Sequence, residues 1–227
     1  MRDLPKPLQK HQEMMKAATT AMTGRFTLYG DSISGNCLKC KWTADYLKIP
    51  FDWVEVNVVE QETRSPDFLS NINPVGQVPV ARWSLEDGKT RTLPQSNAIV
   101  LYLASDSALI PEDAFAQAQM HSWMFWEQYS HESAIAVRRF QKHYLKKEDC
   151  DIDPSLLVKG NKALSILEMQ LGYCDWLVGT DITCADIALV AYTRVAHEGG
   201  FDLSQYPSVK AWVRRVENKL GLNPAVN

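Results

Sequence analysis

Residues 25–37 read Arg25-Phe26-Thr27-Leu28-Tyr29-Gly30-Asp31-Ser32-Ile33-Ser34-Gly35-Asn36-Cys37. The first five residues alternate between polar and apolar side chains, which predicts a β-strand. Turn residues follow as far as Gly35, and the spacing at 37–47 predicts a helix that is broken before Pro50. The alternation resumes at 51–58 and predicts a second strand. A strand, a helix and a strand joined by short links form a βαβ unit, so we expect these two strands to be parallel.

The rest of the chain falls into two parts of different character. Up to residue 106 the patterns predict a short helix at 67–71, a strand at 77–83, a hairpin turn at 86–89, a returning strand at 90–93 and an apolar helix at 96–104. Beyond it they predict helices at 114–140, 156–171, 185–196 and 209–220. We therefore expect an N-terminal extension at 1–24, an α/β domain at 25–106, a linker, and an all-helical domain at 113–227.

The composition excludes several classes of protein. The net charge of −3 gives no reason to expect binding to nucleic acid or to an anionic membrane. No apolar run is long enough to span a bilayer, and the first residues lack the apolar stretch of a secretory signal. The 5 cysteines are an odd number, so we expect free thiols and a cytoplasmic protein. The histidines and cysteines show no metal-ligand spacing, so we expect no metal site.

Ser34 lies where the first predicted strand gives way to a helix. A helix N-terminus presents unpaired backbone N–H groups and a partial positive charge, which stabilise a nearby thiolate. A serine hydroxyl at this point can donate a hydrogen bond to the sulfur of a bound thiol and so favour its ionised form. Alternatively, Ser34 or Asn36 only caps the helix, since both are good N-cap residues. The turn by itself leaves both interpretations open.

Two further segments are candidates for holding a peptide-like ligand. Pro79 falls in a predicted strand, where proline cannot donate to the ladder. A cis bond before it would free the backbone of Val78 for a ligand, whereas a trans proline in an edge strand needs no ligand. Gln95-Ser96 opens the next helix, where free N–H groups can bind a carboxylate and Ser96 can also act as the cap. Residues 183–186, Thr-Cys-Ala-Asp, have the spacing of a structural capping box.

Taken in order, these segments resemble the cytosolic glutathione transferase family, in its bacterial-like form with Ser-Gly-Asn-Cys after the first strand. The segments that match the family pattern are 34–37, 73–79, 95–99, 127–132, 179–188 and 206–212, and the resemblance extends over about residues 26–220. It implies a thioredoxin-like N-terminal domain, an all-α helical C-terminal domain and a homodimer. It also implies an enzyme that takes glutathione as co-substrate and activates its thiol for attack on a small hydrophobic electrophile.

The resemblance implies roles for the residues of the first turn. Ser34 takes the place of the thiol-activating residue, with Asn36 as a possible helper. Ser32 stands two residues earlier and remains the alternative for the same role.

The resemblance also implies the contacts that hold the tripeptide. Val78, before a cis Pro79, would pair with the cysteinyl backbone of glutathione. Gln95 and Ser96 would hold the γ-glutamyl end. Gln77 stands where many relatives carry Lys, so it could hydrogen-bond the glycyl carboxylate but would lack the positive charge.

Cys37 and Cys40 form a Cys-x-x-Cys pair at the start of a helix, which is typical of a redox motif. The register argues against this role, because the reactive residue of a thioredoxin-like fold lies at the turn, where this chain has Ser34. We expect Cys40 to be a buried small apolar residue. Glutathione-dependent disulfide or peroxide reduction involving Cys37 is the alternative activity. A non-catalytic binding protein with a transferase-like fold is the alternative class.

Trp123, Trp126 and Tyr129 are spaced at intervals of three along the predicted long helix. The resemblance places the apolar pocket for the electrophile against this helix, so these aromatic residues are candidates for its wall. Packing in the core or between the domains is the alternative. Arg138 and Arg139 follow on the same helix, and we expect either a solvated face or one arginine that reaches the cleft.

Overall fold

The computed structural model describes residues 25–225, so the predicted extension at 1–24 lies outside the described residues. Four strands form one sheet: β1 (Phe26–Gly30), β2 (Phe51–Glu55), β3 (Val80–Ser84) and β4 (Thr90–Pro94), in the order β2-β1-β3-β4. β1 and β2 are parallel, and β3 is antiparallel to β1 and to β4. Helix α1 (Gly35–Tyr46) joins β1 to β2, which confirms the predicted βαβ unit. β3 begins just after Pro79, which has no N–H to give to a ladder.

The remaining helices divide as the sequence predicts. α2 (Pro66–Asn71) and α3 (Ser96–Ala104) complete the part that contains the sheet. The rest is helical, with α4 (Ala114–Trp126), α5 (Glu132–Arg139), α6 (Pro154–Leu171), α7 (Cys184–Thr193) and α8 (Pro207–Leu220). The fold class is therefore confirmed, whereas the domain boundaries at 106 and 113 stay a prediction. Between residues 25 and 225, none of the helices combines the length and apolar character needed to cross a bilayer.

The helix expected at 114–140 is not continuous. Two five-residue π-helical turns, Glu127–His131 and Phe140–Tyr144, lie on either side of α5. Each π turn closes its hydrogen bonds over five residues instead of four, so it rotates the helix surface that follows. Residues after Glu127–His131 consequently face other neighbours than they would in an uninterrupted α-helix.

The first π turn brings charged groups into the core. The Lys39 ammonium of α1 and the Glu127 carboxylate form an ion pair with an Nζ–Oε2 distance of 3.1 Å, and both side chains are 0% exposed. Side-chain amides of Asn97 and Gln128 also donate to Glu127. Removing one partner of such a pair leaves an uncompensated buried charge, which is strongly destabilising.

α7 lies at the centre of the molecule, and all of its residues are buried. It packs against α1 and α3 on one side and against α4 and α8 on the other, so the sheet and the helical part share one core. Gly35, the first residue of α1, lies against the ring of Tyr192 in α7. A Cβ at Gly35 would stand 2.8 Å from that ring, so the close approach of the two helices requires glycine.

We expect His131 to make the protein acid-sensitive. His131 is fully buried, its Nε2 lies 2.9 Å from Thr193 Oγ1, and burial lowers the pKa of the imidazole from 6.5 to about 4. Between these values the unfolded chain binds a proton that the folded protein does not. Stability is therefore retained above pH 6.5 and falls by up to about 3 kcal/mol as the pH drops towards 4. Urea unfolding of the wild type and of His131→Gln should show this decline only in the wild type.

The matched control is His121→Gln, at a histidine on α4. Its pH dependence should follow that of the wild type. An identical decline in His131→Gln would show that His131 is not the source.

Candidate active site

A polar cavity of about 530 Å³ opens between α1, α3 and the first π turn. It gathers the seven residues that the sequence singles out for catalysis and for binding glutathione: Ser34, Asn36, Gln77, Val78, Pro79, Gln95 and Ser96. Gln128 and Glu132 close it from the helical part. Residues more than 90 positions apart in the chain thus share one concave surface, which is the usual form of a ligand site.

Ser34 is the N-cap residue of α1, but its side chain makes no capping hydrogen bond. Its backbone N–H donates to the carbonyl of Asp31, and its carbonyl accepts from Cys37 and Leu38. The partly exposed Ser34 lines the cavity, where its hydroxyl lies within hydrogen-bonding reach of Tyr192 and Cys37. Ser32, the alternative, is exposed, donates its N–H to Glu55, and is not among the residues that line this cavity.

The turn that carries Ser34 is held from both parts of the molecule. The buried carboxylate of Asp31 accepts from the N–H groups of Ile33 and Val58, each at 2.8 Å. From α5, the Arg139 guanidinium donates to the carbonyl of Ile33 at 2.7 Å. Arg139 thus contacts the turn beside the cleft but is not among the residues that line the polar cavity, and both it and Arg138 are buried rather than on a solvated face.

Asn36 links three elements around the cavity. Its Nδ2 donates to Glu132 Oε1 at 3.3 Å, and its Oδ1 accepts from Ser96 Oγ at 3.2 Å. Its backbone N–H donates to the Tyr192 hydroxyl at 3.2 Å. Asn36 therefore fixes α1 against α3, α5 and α7 instead of capping a helix.

The N-terminus of α3 is open towards the cavity. Gln95 is the N-cap, with φ +75° and no side-chain capping bond. A positive φ is strained for a residue other than glycine, and such residues cluster at functional sites. Ser96 is the first helical residue, and its buried hydroxyl donates to Asn36 instead of capping α3. The first N–H groups of this helix are consequently available to an anion.

Val78 and Gln77 lie on the loop before β3. The Val78–Pro79 bond is cis, as the resemblance implies, and Val78 takes no part in the sheet ladder, which begins at Val80. The exposed Gln77 lies at the edge of the cavity, and its carbonyl accepts from the side chain of Asn73 at 2.9 Å.

The Cys37 and Cys40 side chains are both 0% exposed. Burial raises the pKa of the Cys37 thiol to about 12, although hydrogen bonding to Ser34 partly opposes this shift. The thiolate is the reactive form of cysteine, so a buried, protonated thiol is a poor nucleophile. Cys40 donates to backbone carbonyls of Asn36 and Ser96, as expected of a buried core residue.

Thiol labelling of the native protein should follow exposure. Cys150 is exposed and Cys174 is partly exposed, whereas Cys37, Cys40 and Cys184 are buried. Brief treatment with an alkylating reagent, followed by peptide mass spectrometry, should find label at Cys150 first and at the buried three only after denaturation. Labelling of Cys37 as fast as Cys150 would contradict its burial.

Two family models cover most of the chain. The model of the glutathione S-transferase N-terminal domain matches residues 33–106, and that of the C-terminal domain matches residues 131–219. The chain belongs to the glutathione S-transferase family. A solved glutathione S-transferase from Pseudomonas fluorescens Pf-5 is 41% identical to this transferase, with 89% of this chain and 99% of that chain covered and a TM-score of 0.80.

Curated relatives are more distant. A probable glutathione S-transferase GSTF2 of Oryza sativa subsp. japonica is 29% identical, with 82% of this chain and 88% of the rice protein covered. The disulfide-bond oxidoreductase YfcG of Escherichia coli is 26% identical, with 68% of this chain and 73% of the bacterial protein covered.

A second cavity of about 480 Å³ adjoins the polar one in this transferase. Its lining is mainly apolar and comes from α5, the second π turn, the residues just after that turn and α7: Glu132, Ala136, Val137, Phe140, Gln141, Leu145, Lys147 and Tyr192. Glu132 lines both cavities.

The predicted aromatic wall lies elsewhere. Trp126 and Tyr129 line a third cavity, of about 490 Å³, together with Lys159 and Lys162 of α6. Trp123 packs edge-on against Trp126, with ring centroids 5.3 Å apart. The π turn after Trp126 separates these residues from the face of α5 that borders the polar cavity.

Two residues of the site were missed by the sequence reasoning. Tyr192 is buried in the apolar helix α7, where its pattern is that of a core residue, yet its hydroxyl is hydrogen-bonded to the backbone of Asn36 and to Ser34. Glu132 lies at the end of the matching segment 127–132, and nothing in the pattern distinguishes it from a solvated glutamate. Only the folded structure shows that Glu132 lines both cavities.

Proposed function

We propose that this transferase binds glutathione in the polar cavity and activates its thiol for attack on a small hydrophobic electrophile. The observation that carries the proposal is the convergence of the Ser34 hydroxyl, which does not cap α1, the Val78 backbone and the open N-terminus of α3 in one cavity. A hydroxyl, a strand-like backbone edge and a helix N-terminus suit the thiol, the peptide group and the carboxylate of glutathione respectively.

Each group has a proposed role. Ser34 donates to the sulfur, and the N-terminus of α1 adds its partial positive charge. Val78 pairs with the cysteinyl backbone, while Gln95 and Ser96 hold the γ-glutamyl carboxylate. Gln77 meets the glycyl end. Fixing the thiol beside a bound electrophile makes the attack effectively intramolecular.

The apolar cavity next to Glu132 is the proposed site of the electrophile. It adjoins the polar cavity, whereas Trp126 and Tyr129 border a separate one. Phe140→Ala should therefore raise the KM for an apolar electrophile and leave that for glutathione unchanged.

The test combines binding, ionisation and turnover. Calorimetry should detect glutathione binding, ultraviolet difference absorbance should detect its thiolate, and an aryl chloride should be conjugated. Absence of binding at cellular glutathione concentrations would refute the proposal. Binding without turnover of any halide, epoxide, peroxide or mixed disulfide would favour the non-catalytic alternative.

Glutathione-dependent disulfide reduction is the second candidate, because the Escherichia coli relative is named a disulfide-bond oxidoreductase. The burial of Cys37 argues against a cysteine mechanism. If disulfide reduction occurs, glutathione itself would supply the reactive thiol, and the Cys37→Ala variant would retain the reductase activity. Loss of reduction in Cys37→Ala, with conjugation intact, would restore Cys37 to the mechanism.

We also propose a cytoplasmic homodimer. The free cysteines suit a reducing compartment. Phe115, Phe125 and Tyr129 lie along one face of the helix that begins with α4, and they are 72%, 73% and 86% exposed. Aromatic residues at this spacing on an exposed face favour a protein interface.

Size-exclusion chromatography with light scattering should give the mass of two chains, and Phe125→Glu should shift the protein towards a monomer. Val59→Glu, at an exposed apolar residue outside this face, is the control and should remain dimeric. A wild-type monomer at micromolar concentration would refute the dimer.

A further inference from the structure

Glu132 occupies a position that the proposed binding roles leave unexplained. It is the first residue of α5, and it is the one residue common to the linings of the polar and the apolar cavity within 25–225. A glutathione sulfur beside Ser34 and an electrophile in the apolar cavity would meet at this boundary. The side chain at the boundary is a carboxyl group.

The π turn explains why Glu132 faces this boundary. In an uninterrupted α-helix, five residues advance by about 500°, so Glu132 would lie on a different face from Glu127. Over the π turn, hydrogen bonds close at the fifth residue, which brings Glu132 back over Glu127 and towards α1. Such single π turns are frequent at functional sites.

The carboxylate of Glu132 lacks a counter-ion. Within the described part of the chain it accepts one hydrogen bond, from Asn36 Nδ2 at 3.3 Å, and has no Lys or Arg within ion-pair distance. Glu127, by contrast, is paired with Lys39. A carboxyl group that is mostly removed from water and is not committed to an ion pair can exchange a proton with a ligand.

The groups around Glu132 shift the pKa of its carboxyl group both upwards and downwards. Burial and the negative charge of Glu127 raise the pKa of Glu132, while Lys39 and the Asn36 hydrogen bond lower it. Tyr192 and Lys147 line the same apolar cavity as Glu132. The net effect is a raised pKa, which lets this carboxyl hold a proton at a higher pH than a surface glutamate does.

We propose that Glu132 carries the thiol proton from glutathione to the product, and that this suits the enzyme to electrophiles that must gain a proton, such as apolar epoxides. The inference rests on the proposed function. The proton moves from the sulfur to the Glu132 carboxylate, and the sulfur electron pair forms the C–S bond as the epoxide C–O bond breaks. The carboxylic acid then gives its proton to the new alkoxide oxygen, so no net proton is gained or lost.

Aryl chlorides provide the contrast, because chloride leaves without a proton and needs no second transfer. Glu132→Gln keeps the size of the side chain and an oxygen that can accept from Asn36, but it cannot carry the proton. For styrene oxide, kcat should fall about 100-fold, within the usual contribution of general acid–base catalysis. For an aryl chloride, above the pKa of the bound thiol, kcat should change by less than about threefold. The KM for glutathione should stay within a factor of about two.

The pH profile gives an independent readout. With styrene oxide, the wild-type rate should rise as the thiol ionises and fall again when the shared proton is lost. Glu132→Gln should lose the alkaline fall and reach a plateau. Glu132→Asp should restore part of the epoxide rate, and Glu60→Gln, at an exposed surface glutamate, should match the wild type.

Three results would overturn the inference: equal losses for the epoxide and the chloride at every pH, a raised KM for glutathione with kcat intact, or no turnover of the epoxide by a wild type that conjugates the chloride. The second would make Glu132 a binding residue for glutathione. Failure of the proposed function is distinguishable, because the wild type itself would then neither bind nor conjugate glutathione. Thermal melting of each variant checks that it is folded.

Discussion

Ser34→Ala is expected to raise the apparent pKa of the glutathione thiol in the complex by about one to two units. A hydrogen bond to a charged acceptor contributes about 1.5–3 kcal/mol, and one pKa unit corresponds to about 1.4 kcal/mol. At a pH below the new value, the thiolate fraction and kcat should fall about 10- to 100-fold, in line with the same shift. The measurements are the thiolate absorbance of the complex and kcat as functions of pH.

Ser32→Ala is the matched control, because Ser32 lies two residues away and is the alternative for the role. Its side chain is exposed and outside the polar cavity, so both pH profiles should match the wild type. An unchanged profile in Ser34→Ala, or a shifted one in Ser32→Ala, would remove Ser34 from the mechanism.

Asp186→Ala is expected to destabilise the fold most among the substitutions considered. The carboxylate is fully buried, and its two oxygens accept from the N–H groups of Leu177 and Thr183, the Thr183 hydroxyl and the indole of Trp212. The loss should be about 3–5 kcal/mol, as for other removals of one partner from a buried charged network, because the donors left behind are buried without a partner. The capping box is confirmed, and its Asp186 also connects α7 to α8 through the hydrogen bond from the Trp212 indole.

Urea unfolding gives the free energy difference. Asp181→Ala is the control, because Asp181 lies nearby but is exposed and paired with Lys219 at the surface, where an ion pair contributes at most about 1 kcal/mol. Equal losses for the two variants would show that burial of the Asp186 network is not the cause.

Periodicity and turn chemistry were sufficient to predict the sheet and most helices. α3 has the predicted ends at Ser96 and Ala104. Its apolar run is flanked by polar residues on both sides, which defines where the helix begins and ends. Seven residues of the polar cavity were also identified from sequence, through the resemblance of short segments in a fixed order to the family pattern. Their functional roles remain predictions.

The parts that could not be predicted depend on contacts distant in sequence. No residue pattern specifies a π turn, and this one coincides with the pairing of Glu127 with Lys39, 88 positions away. The placement of Trp126, Tyr129 and Glu132 follows from that turn. Tyr192 lies in an apolar helix, where only the approach of α1 gives its hydroxyl a partner.

The pairing of Lys39 with Glu127 restricts how the two parts of the molecule can be assembled. Two apolar surfaces can pack in more than one alignment, because one methyl group can replace another. A shift of α1 along the first π turn by even one residue would separate Lys39 from Glu127 and leave two buried charges unpaired. The pair therefore allows a single alignment. In that alignment Ser34, five positions before Lys39, and Glu132, five positions after Glu127, line the same cavity. A structural ion pair thus sets the relative position of the chemical groups.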